Sequence, residues 1–182
     1  MVPNPANRIR VIVVDDHPVA LAGIRVGLKR FHDIDLECEA LDGTTALQKI
    51  AELRPDVAVI DVNLPDIDGL EVTARVRELS PKTRIILTSG DLSISTMSRA
   101  SQLGVAGFFH KSGAVERLAL VIRSATSDDF EESDPPNFAA TAANSESFAE
   151  SERDSSVVLV NGSSVTQVVD EASRWRTGWN QR

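Results

Sequence analysis

One stretch of the sequence decides the fold: residues 57–69 read VAVIDVNLPDIDG. The four apolar residues at its start predict a buried strand, and Pro65 and Gly69 predict that the chain turns immediately afterwards. Asp61 therefore stands where a buried strand ends and a loop begins. In parallel α/β sheets, functional side chains cluster at this position.

Three other apolar runs end in the same way, with a polar side chain at the strand end. Asp15 and Asp16 end the run from Ile9 to Val14, while Ser89 and Lys111 follow two later candidate strands. Because the carboxyl ends of parallel strands share one edge of a sheet, all four strand ends are expected to converge on one site.

Strand-like and helix-like runs alternate up to about residue 124. The segment after Pro18 has a helical stripe of Leu21, Ile24, Leu28 and Phe31. The predicted strands cover residues 9–14, 36–40, 57–60, 85–88 and 107–109, and the remaining predicted helices cover residues 44–53, 70–79, 94–103 and 115–125. Five β-α units predict an α/β fold, a five-stranded parallel sheet that is doubly wound with helices on both faces.

Composition limits the class of protein. The chain has 182 residues and 42% hydrophobic residues, enough for one ordinary core. Its single cysteine, Cys38, cannot form an internal disulfide, no run approaches the ~18 apolar residues of a membrane span, and no hydrophobic signal segment opens the chain. These features predict a cytoplasmic protein with no membrane partner.

The formal net charge of −8 is unevenly distributed. Residues 1–124 contain 15 Lys and Arg against 16 Asp and Glu, whereas residues 125–182 contain 4 against 11. Contact with nucleic-acid phosphates needs Lys and Arg, so DNA binding is not expected from the acidic C-terminal third.

The C-terminal third itself contains two kinds of sequence. Residues 127–156 are rich in Ser, Ala, Asp and Glu and are expected to be disordered. Residues 157–160, followed by Asn161-Gly162, are typical of half a β-hairpin. Ser164 and Gln167 fit a capping box, and apolar residues continue at helical spacing to residue 179. A weakly ordered tail and a short docking helix over residues 164–179 both stay open. The expected organisation is an N-terminal extension at 1–8, a domain at 9–125 and an acidic, mostly disordered tail at 126–182.

The acidic cluster predicts a particular chemistry. Carboxylates 5 Å apart repel one another by about 3 kcal/mol per pair at an effective dielectric of about 20, so a cation must lie among them. Oxygen ligands suit Mg²⁺, whose coordination a phosphate completes, whereas three histidines and one cysteine offer little to a zinc site. In such a phosphoryl site Asp61 could be the nucleophile, Lys111 could supply positive charge, and the Ser89 hydroxyl could donate to a phosphate oxygen.

Each of these residues alone has a structural explanation. Asp15 and Asp16 precede a helix and could simply cap it, and a lone strand-end Ser or Lys is usually structural or solvated. Their joint occurrence at successive strand ends favours a functional site.

The motifs closely resemble the receiver domain of two-component response regulators over residues 9 to about 125. The resemblance rests on residues 14–18 (VDDHP), residues 61–69 (DVNLPDIDG), Ser89 and Lys111, with Ser89 and Lys111 placed 28 and 50 residues after Asp61. The Asp-Asp-His-Pro opening is similar to the NarL/FixJ subfamily. The resemblance implies a flavodoxin-like receiver fold.

The resemblance also implies a phosphoacceptor and a metal site. Asp61 would accept a phosphoryl group from a histidine kinase or a phosphotransfer protein. Asp16, Asp61 and the main-chain carbonyl of Asn63 would bind Mg²⁺, and Asp15 would contribute through water.

The remaining implied roles concern the response to phosphorylation. Ser89 would be the switch hydroxyl, Lys111 would pair with the phosphoryl group, and Phe108 would change its burial when Ser89 moves. Asn63 and Asp91 would tune dephosphorylation. The expected output surface comprises residues 92–103 and 107–111.

Two departures from the family pattern bear on the output. Ser112-Gly113 follows Lys111, where receivers commonly have Pro. The subfamily usually continues into a basic helix-turn-helix, yet residues 125–182 are acidic and show no recognisable two-helix DNA reader. The expected function is therefore phosphorylation-dependent contact with a downstream protein of unknown identity or with a second copy in a homodimer. Its only catalysis would be its own phosphotransfer and dephosphorylation.

Other hypotheses stay open. The chain could be a truncated or diverged DNA-binding transcriptional regulator of the NarL/FixJ type, or a receiver that is never phosphorylated. An aspartate-nucleophile phosphohydrolase of the haloacid dehalogenase type is disfavoured because it needs a second Asp two residues after the nucleophile. Asn63 stands there and cannot act as a general acid.

Overall fold

The computed structural model describes residues 8–90, 93–127, 157–161 and 164–167. Strands and helices alternate through the first ten elements and a pair of strands follows them. They are β1 (Ile9–Val14), α1 (Pro18–Leu28), β2 (Ile34–Ala40), α2 (Gly43–Leu53), β3 (Val57–Asp61), α3 (Gly69–Leu79), β4 (Arg84–Ser89), α4 (Ile94–Gln102), β5 (Gly107–His110), α5 (Val115–Ala125), β6 (Val157–Asn161) and β7 (Ser164–Gln167). No helix in these ranges is long and apolar enough to cross a membrane.

The strands form one sheet in the order β2-β1-β3-β4-β5-β6-β7. The first five strands in this order are mutually parallel, which confirms the predicted five-stranded parallel sheet. Strands β6 and β7 extend it in the antiparallel sense. The register aligns Asp61 of β3 with Thr88 of β4, and Ser89 of β4 with His110 of β5. Three neighbouring strands therefore end at the same edge.

Alternate strand residues feed two separate cores, one on each face of the sheet. Val11, Val13, Val57 and Val59 pack with buried residues of α1 and α5. Ile12, Val14, Ala58 and Ile60 pack with buried residues of α2, α3 and α4. Since both faces are covered, these strands are apolar at nearly every position, as parallel strands usually are. The doubly wound arrangement is thus confirmed.

Helix α1 ends earlier than its apolar stripe predicts. It stops at Leu28, and the backbone N–H of Phe31 donates to the Leu28 carbonyl over three residues, a tighter turn that closes the helix. The Phe31 ring nevertheless packs against the α1 and α5 core, with the Arg123 guanidinium 5.1 Å from its centroid. Phe31 was therefore correctly predicted to face the core but wrongly predicted to be helical.

The C-terminal residues that the structure describes form strands and not the start of a helix. Strands β6 and β7 pair with the register Val158↔Gln167 to Asn161↔Ser164, so the half-hairpin predicted at residues 157–160 is confirmed. Ser164–Gln167, where one of the two open alternatives placed the start of a docking helix, form strand β7. A capping box satisfies only local amides, whereas pairing with β6 supplies a hydrogen-bond ladder to a segment with two β-branched residues, Val165 and Thr166. Residues 168–179, the extension at 1–7 and most of the tail expected to be disordered, 128–156, lie outside the described residues.

Candidate functional site

The carboxyl ends of β1, β3, β4 and β5 bring four predicted site residues to one pocket. Asp15 follows β1, Asp61 ends β3, Ser89 ends β4 and Lys111 follows β5. Asp15, Asp61 and Ser89 are all at most 2% exposed. The backbone N–H of Lys111 donates to the Ser89 carbonyl at 3.0 Å, which fixes the end of β5 against the end of β4.

Lys111 links two buried carboxylates. Its Nζ lies 2.6 Å from Asp61 Oδ2 and 2.7 Å from Asp15 Oδ2. The Lys111 side chain remains 26% exposed, so the pocket is not sealed from solvent. The positive charge that the three-carboxylate cluster demands is therefore supplied in part by the chain itself.

Burial and ion pairing act in opposite directions on these groups. Burial is the largest influence on Asp61 and raises the pKa of its carboxyl, although hydrogen bonds from Lys111 and from the backbone N–H of Asn63 offset part of this effect. For Lys111, burial lowers the pKa of the ammonium, but hydrogen bonds to Asp15 and Asp61 outweigh it and the net pKa is raised. The pocket thus favours a charged lysine and opposes the charge on Asp61.

Four side chains that could hold a metal ion lie together at the same pocket. Asp15, Asp16, His17 and Asp61 each present one ligand atom, and these atoms lie within 4.8 Å of one another. Asp16 Oδ1 is buried and has no hydrogen-bond partner among the described residues, although His17 Nδ1 lies 2.6 Å from it. Three carboxylates with an unsatisfied oxygen are hard ligands of the kind that Mg²⁺ prefers, so the residues present fit that ion.

His17 is a member of this cluster that the sequence argument did not single out. Its backbone N–H donates to Asp15 Oδ1 at 2.9 Å, and its ring nitrogen lies beside Asp15 and Asp16. The signal was available, because His17 directly follows the two aspartates in the chain.

The loop between β3 and α3 is anchored to helix α2 by Asp66. Its carboxylate accepts hydrogen bonds from the backbone N–H groups of Gly43 and Thr44 at 2.8 and 2.9 Å and from Thr44 Oγ1 at 2.6 Å. These donors, the Thr44 hydroxyl first, hold the pKa of the Asp66 carboxyl far below its usual range. Asn63 lies in the same loop, and its backbone N–H approaches Asp61 Oδ1 at 3.2 Å. The anchor therefore fixes the loop that borders the Asp61 carboxylate.

Gly69 allows this loop to fold back on the end of β3. Its N–H donates to the Val62 carbonyl at 2.9 Å. A Cβ atom at Gly69 would lie 2.1 Å from the Asp61 main-chain oxygen and 2.8 Å from Val62 Cα. Both neighbours are main-chain atoms, so no side-chain rotation can relieve the contact.

Gly69→Ala is accordingly expected to lower the free energy of unfolding by about 2 kcal/mol, since overpacking against backbone forces the end of β3 to move. Urea unfolding measures the change. Gly23→Ala is the matched control, because Gly23 is an exposed residue of α1 with nothing within 4 Å of the added Cβ. It should be stabilising by up to about 1 kcal/mol through helix propensity. Equal stabilities of the two variants would contradict the close approach at Gly69.

The two remaining predicted site residues are Phe108 and Asp91. Phe108 is fully buried in β5, within the core shared with α2, α3 and α4. Asp91 lies outside the described residues. The roles expected of both residues therefore stay predictions.

Known proteins resemble the chain over the part that builds this pocket. Residues 11–123 match the family model described as "Response regulator receiver domain". The curated relative "Probable transcriptional regulatory protein NarL" of Mycobacterium tuberculosis is 38% identical over 109 residues, 60% of this chain and 50% of the relative. "DNA-binding transcriptional activator EvgA" of Escherichia coli K12 is 30% identical over 117 residues, 64% of this chain and 57% of the relative. The chain thus spans about half the length of the curated relatives it matches.

Solved structures agree with the fold. The signal receiver domain of NarL from Mycobacterium tuberculosis superposes with a TM-score of 0.62 at 32% identity, covering 66% of this chain and 99% of that chain. The isolated receiver domain of RcsB from Salmonella enterica serovar Typhimurium, solved with the phosphomimetic BeF3-, gives a TM-score of 0.59 at 26% identity, covering 63% of this chain and 85% of that chain.

Proposed function

The chain belongs to the response regulator receiver domain family of two-component systems, and on this premise we propose that it is a switch operated by phosphorylation of Asp61. The phosphoryl donor would be a histidine kinase or a phosphotransfer protein, and the output would be a change in contacts with a downstream protein or with a second copy. One observation supports this proposal above the others: Lys111 Nζ lies 2.6 Å from Asp61 and 2.7 Å from Asp15, at the meeting point of two separate strand ends.

Asp61 has the surroundings that a nucleophilic carboxylate needs. One oxygen, Oδ2, accepts a hydrogen bond from the Lys111 ammonium, and the other, Oδ1, accepts one from the Asn63 backbone N–H. A carboxylate oxygen would attack the phosphorus of a phosphohistidine and form an O–P bond. The N–P bond would break at the same centre, its electron pair leaving on the imidazole nitrogen, which then takes up a proton. The product is an aspartyl phosphate.

Asp16 and Asp61, with the main-chain carbonyl of Asn63, would hold Mg²⁺, and Asp15 would contribute through water. When bound, the ion would offset negative charge on the phosphoryl oxygens. His17 lies beside Asp16 and would contribute a nitrogen ligand or orient that carboxylate.

The switch follows from the charge that phosphorylation adds. An aspartyl phosphate carries about two negative charges in place of the single charge of the Asp61 carboxylate, and it brings new acceptor oxygens beside Lys111, which already pairs with Asp15 and Asp61. Lys111 and the Ser89 hydroxyl can serve the new oxygens only by moving, and both lie at ends of neighbouring strands. Phe108, three residues before Lys111 in β5, would then change its packing. To convert a 99:1 ratio of inactive to active conformation into 1:99, phosphorylation must favour the active conformation by roughly 5.5 kcal/mol. Several charge-assisted hydrogen bonds could supply this free energy.

Acetyl phosphate tests this proposal without a known kinase. With Mg²⁺ present, the intact protein is expected to gain about 80 Da, and the gain should vanish when the metal is removed with a chelator. Borohydride reduction converts an aspartyl phosphate into homoserine, which peptide mass mapping should locate at position 61. A modification mapped to another residue, or no gain under any condition, would count against the proposal.

A second candidate is supported by the names of the relatives. NarL and EvgA are described as transcriptional regulators and are about twice the length of the matched segment. The chain could therefore be the receiver part of a regulator that acts on transcription. Retardation of DNA by this chain in a gel-shift assay would favour that candidate, although residues 125–182 are strongly acidic.

A further inference from the structure

The β6–β7 hairpin is attached to the outer edge of strand β5. Strand β6 runs antiparallel to β5 with the register Gly107↔Leu159, Phe108↔Val158 and Phe109↔Val157. On its other side β5 pairs with β4 in the parallel sense. Strand β5 is therefore an interior strand only because a segment from the C-terminal part of the chain lies beside it.

Without the hairpin, β5 would be the edge of the parallel sheet. An edge strand presents unpaired N–H and C=O groups that recruit a strand from another chain unless something protects them. The hairpin replaces this edge with β7, which has the four residues Ser-Val-Thr-Gln. A strand of four residues, three of them polar, is a poor template for further pairing. The hairpin thus closes one end of the sheet.

Strand β5 is also bonded to the phosphoacceptor pocket. Lys111 directly follows β5 and joins it to Asp61 and Asp15. Phe108, in the middle of β5, is fully buried and is paired through its backbone with Val158 of the hairpin. Strand β5 therefore contacts the hairpin along its length, and its carboxyl end leads directly into the pocket.

The tether between α5 and β6 favours pairing within one molecule. Residues 126–156 join the two elements, and a covalent connection typically holds a segment at an effective concentration on the order of millimolar. A second copy at micromolar concentration competes poorly with such a segment for the same edge.

We propose that the β6–β7 hairpin is an intramolecular cap on β5, that it keeps a second copy of this chain from pairing at that edge, and that phosphorylation of Asp61 releases it. The release step rests on the proposed function, whereas the occupancy of the edge does not. Charge added at Asp61 draws Lys111 toward the phosphoryl group and shifts the end of β5, which disturbs the register that β6 requires.

The first experiment tests occupancy in the full-length, unphosphorylated protein. Strand β6 has a neighbour on each side, so Val158→Pro removes a ladder donor whichever neighbour receives it, while Val158→Thr keeps the N–H and the β-branched shape. Amide hydrogen exchange of residues 107–110 is expected to be about tenfold faster in the proline variant and unchanged in the threonine variant. Sedimentation should show the proline variant forming dimers at roughly tenfold lower concentration than the natural chain. Unchanged exchange in Val158→Pro would overturn the cap, and faster exchange without dimers would overturn its role against a second copy.

The second experiment tests release. Acetyl phosphate and Mg²⁺ should raise exchange of residues 107–110 in the natural chain to the level of Val158→Pro and should have no effect on Asp61→Asn. If the intact mass shows phosphorylated Asp61 but exchange is unchanged, release is overturned while the proposed function stands. If Asp61 takes up no phosphoryl group, the proposed function and the release of the hairpin fail together. The comparison of Val158→Pro with Val158→Thr then still decides whether the hairpin occupies the β5 edge.

Discussion

Asp61→Asn is expected to reduce phosphoryl uptake from acetyl phosphate by roughly a hundredfold or more, while raising the urea midpoint of unfolding at neutral pH. The amide keeps the shape of the side chain but is not a nucleophile. Burial raises the pKa of the Asp61 carboxyl, so the folded protein holds this proton more tightly than the unfolded chain does. An ionised Asp61 therefore costs folding free energy, and the neutral amide removes that cost.

The sign of this effect gives it a pH dependence. The cost is absent below the unfolded pKa of 3.8, grows as pH rises toward the folded pKa of Asp61, and is constant above it. The midpoint difference between the natural chain and Asp61→Asn should consequently shrink as the pH is lowered from 7 toward about 4. Glu52→Gln, on an exposed position of α2, is the control and should alter neither uptake nor midpoint. A lower midpoint for Asp61→Asn would mean that attraction to Lys111 outweighs the cost of burial.

Lys111→Met is expected to lower the free energy of unfolding by about 3 kcal/mol, because it leaves Asp15 and Asp61 buried without their shared counter-ion. Methionine preserves the apolar stem of the side chain, so the loss reports mainly on charge. Lys111→Arg keeps the charge, so its free energy of unfolding should fall by less than half as much as that of Lys111→Met. Urea unfolding without divalent ions measures both variants.

Mg²⁺ provides an independent readout of the same pocket. With the ammonium gone, the carboxylates should bind the cation more tightly, so Mg²⁺ should raise the thermal midpoint of Lys111→Met more than that of the natural chain. An equal rise in both proteins would show that Lys111 and the metal do not compete for the same carboxylates. A stability unchanged by Lys111→Met would contradict the ion pairs themselves.

The parts of the fold that were predictable are those governed by repeating patterns. Runs such as residues 57–60 are apolar throughout because both faces of the sheet are covered, and this pattern is visible without any structure. Parallel pairing then brings Asp61 and Lys111 together although 50 residues separate them. The convergence of strand ends at the pocket could therefore be predicted from topology alone.

Contacts between non-repeating positions could not be predicted. The bonds from Thr44 to Asp66 join a helix start to a loop 22 residues later, and nothing in the local sequence of either residue marks the other as a partner. Phe31 lies three residues beyond the end of α1 but still fits the helical spacing of apolar residues, because its ring contacts the same core. At Ser164, the local sequence fits a helix cap, whereas the segment pairs with β6 in the structure. The spacing of apolar residues along the chain does not reveal this pairing.

The 50-residue separation between Asp61 and Lys111 also has a consequence for biosynthesis. On the ribosome, the Asp61 carboxylate emerges well before the strand that precedes its counter-ion, Lys111. Docking β5 beside β4 is a long-range, parallel pairing, a class of contact that forms late in folding. A nascent or half-folded chain therefore presents Asp61 without Lys111, and the complete pocket that the proposed function requires forms only when β5 has docked.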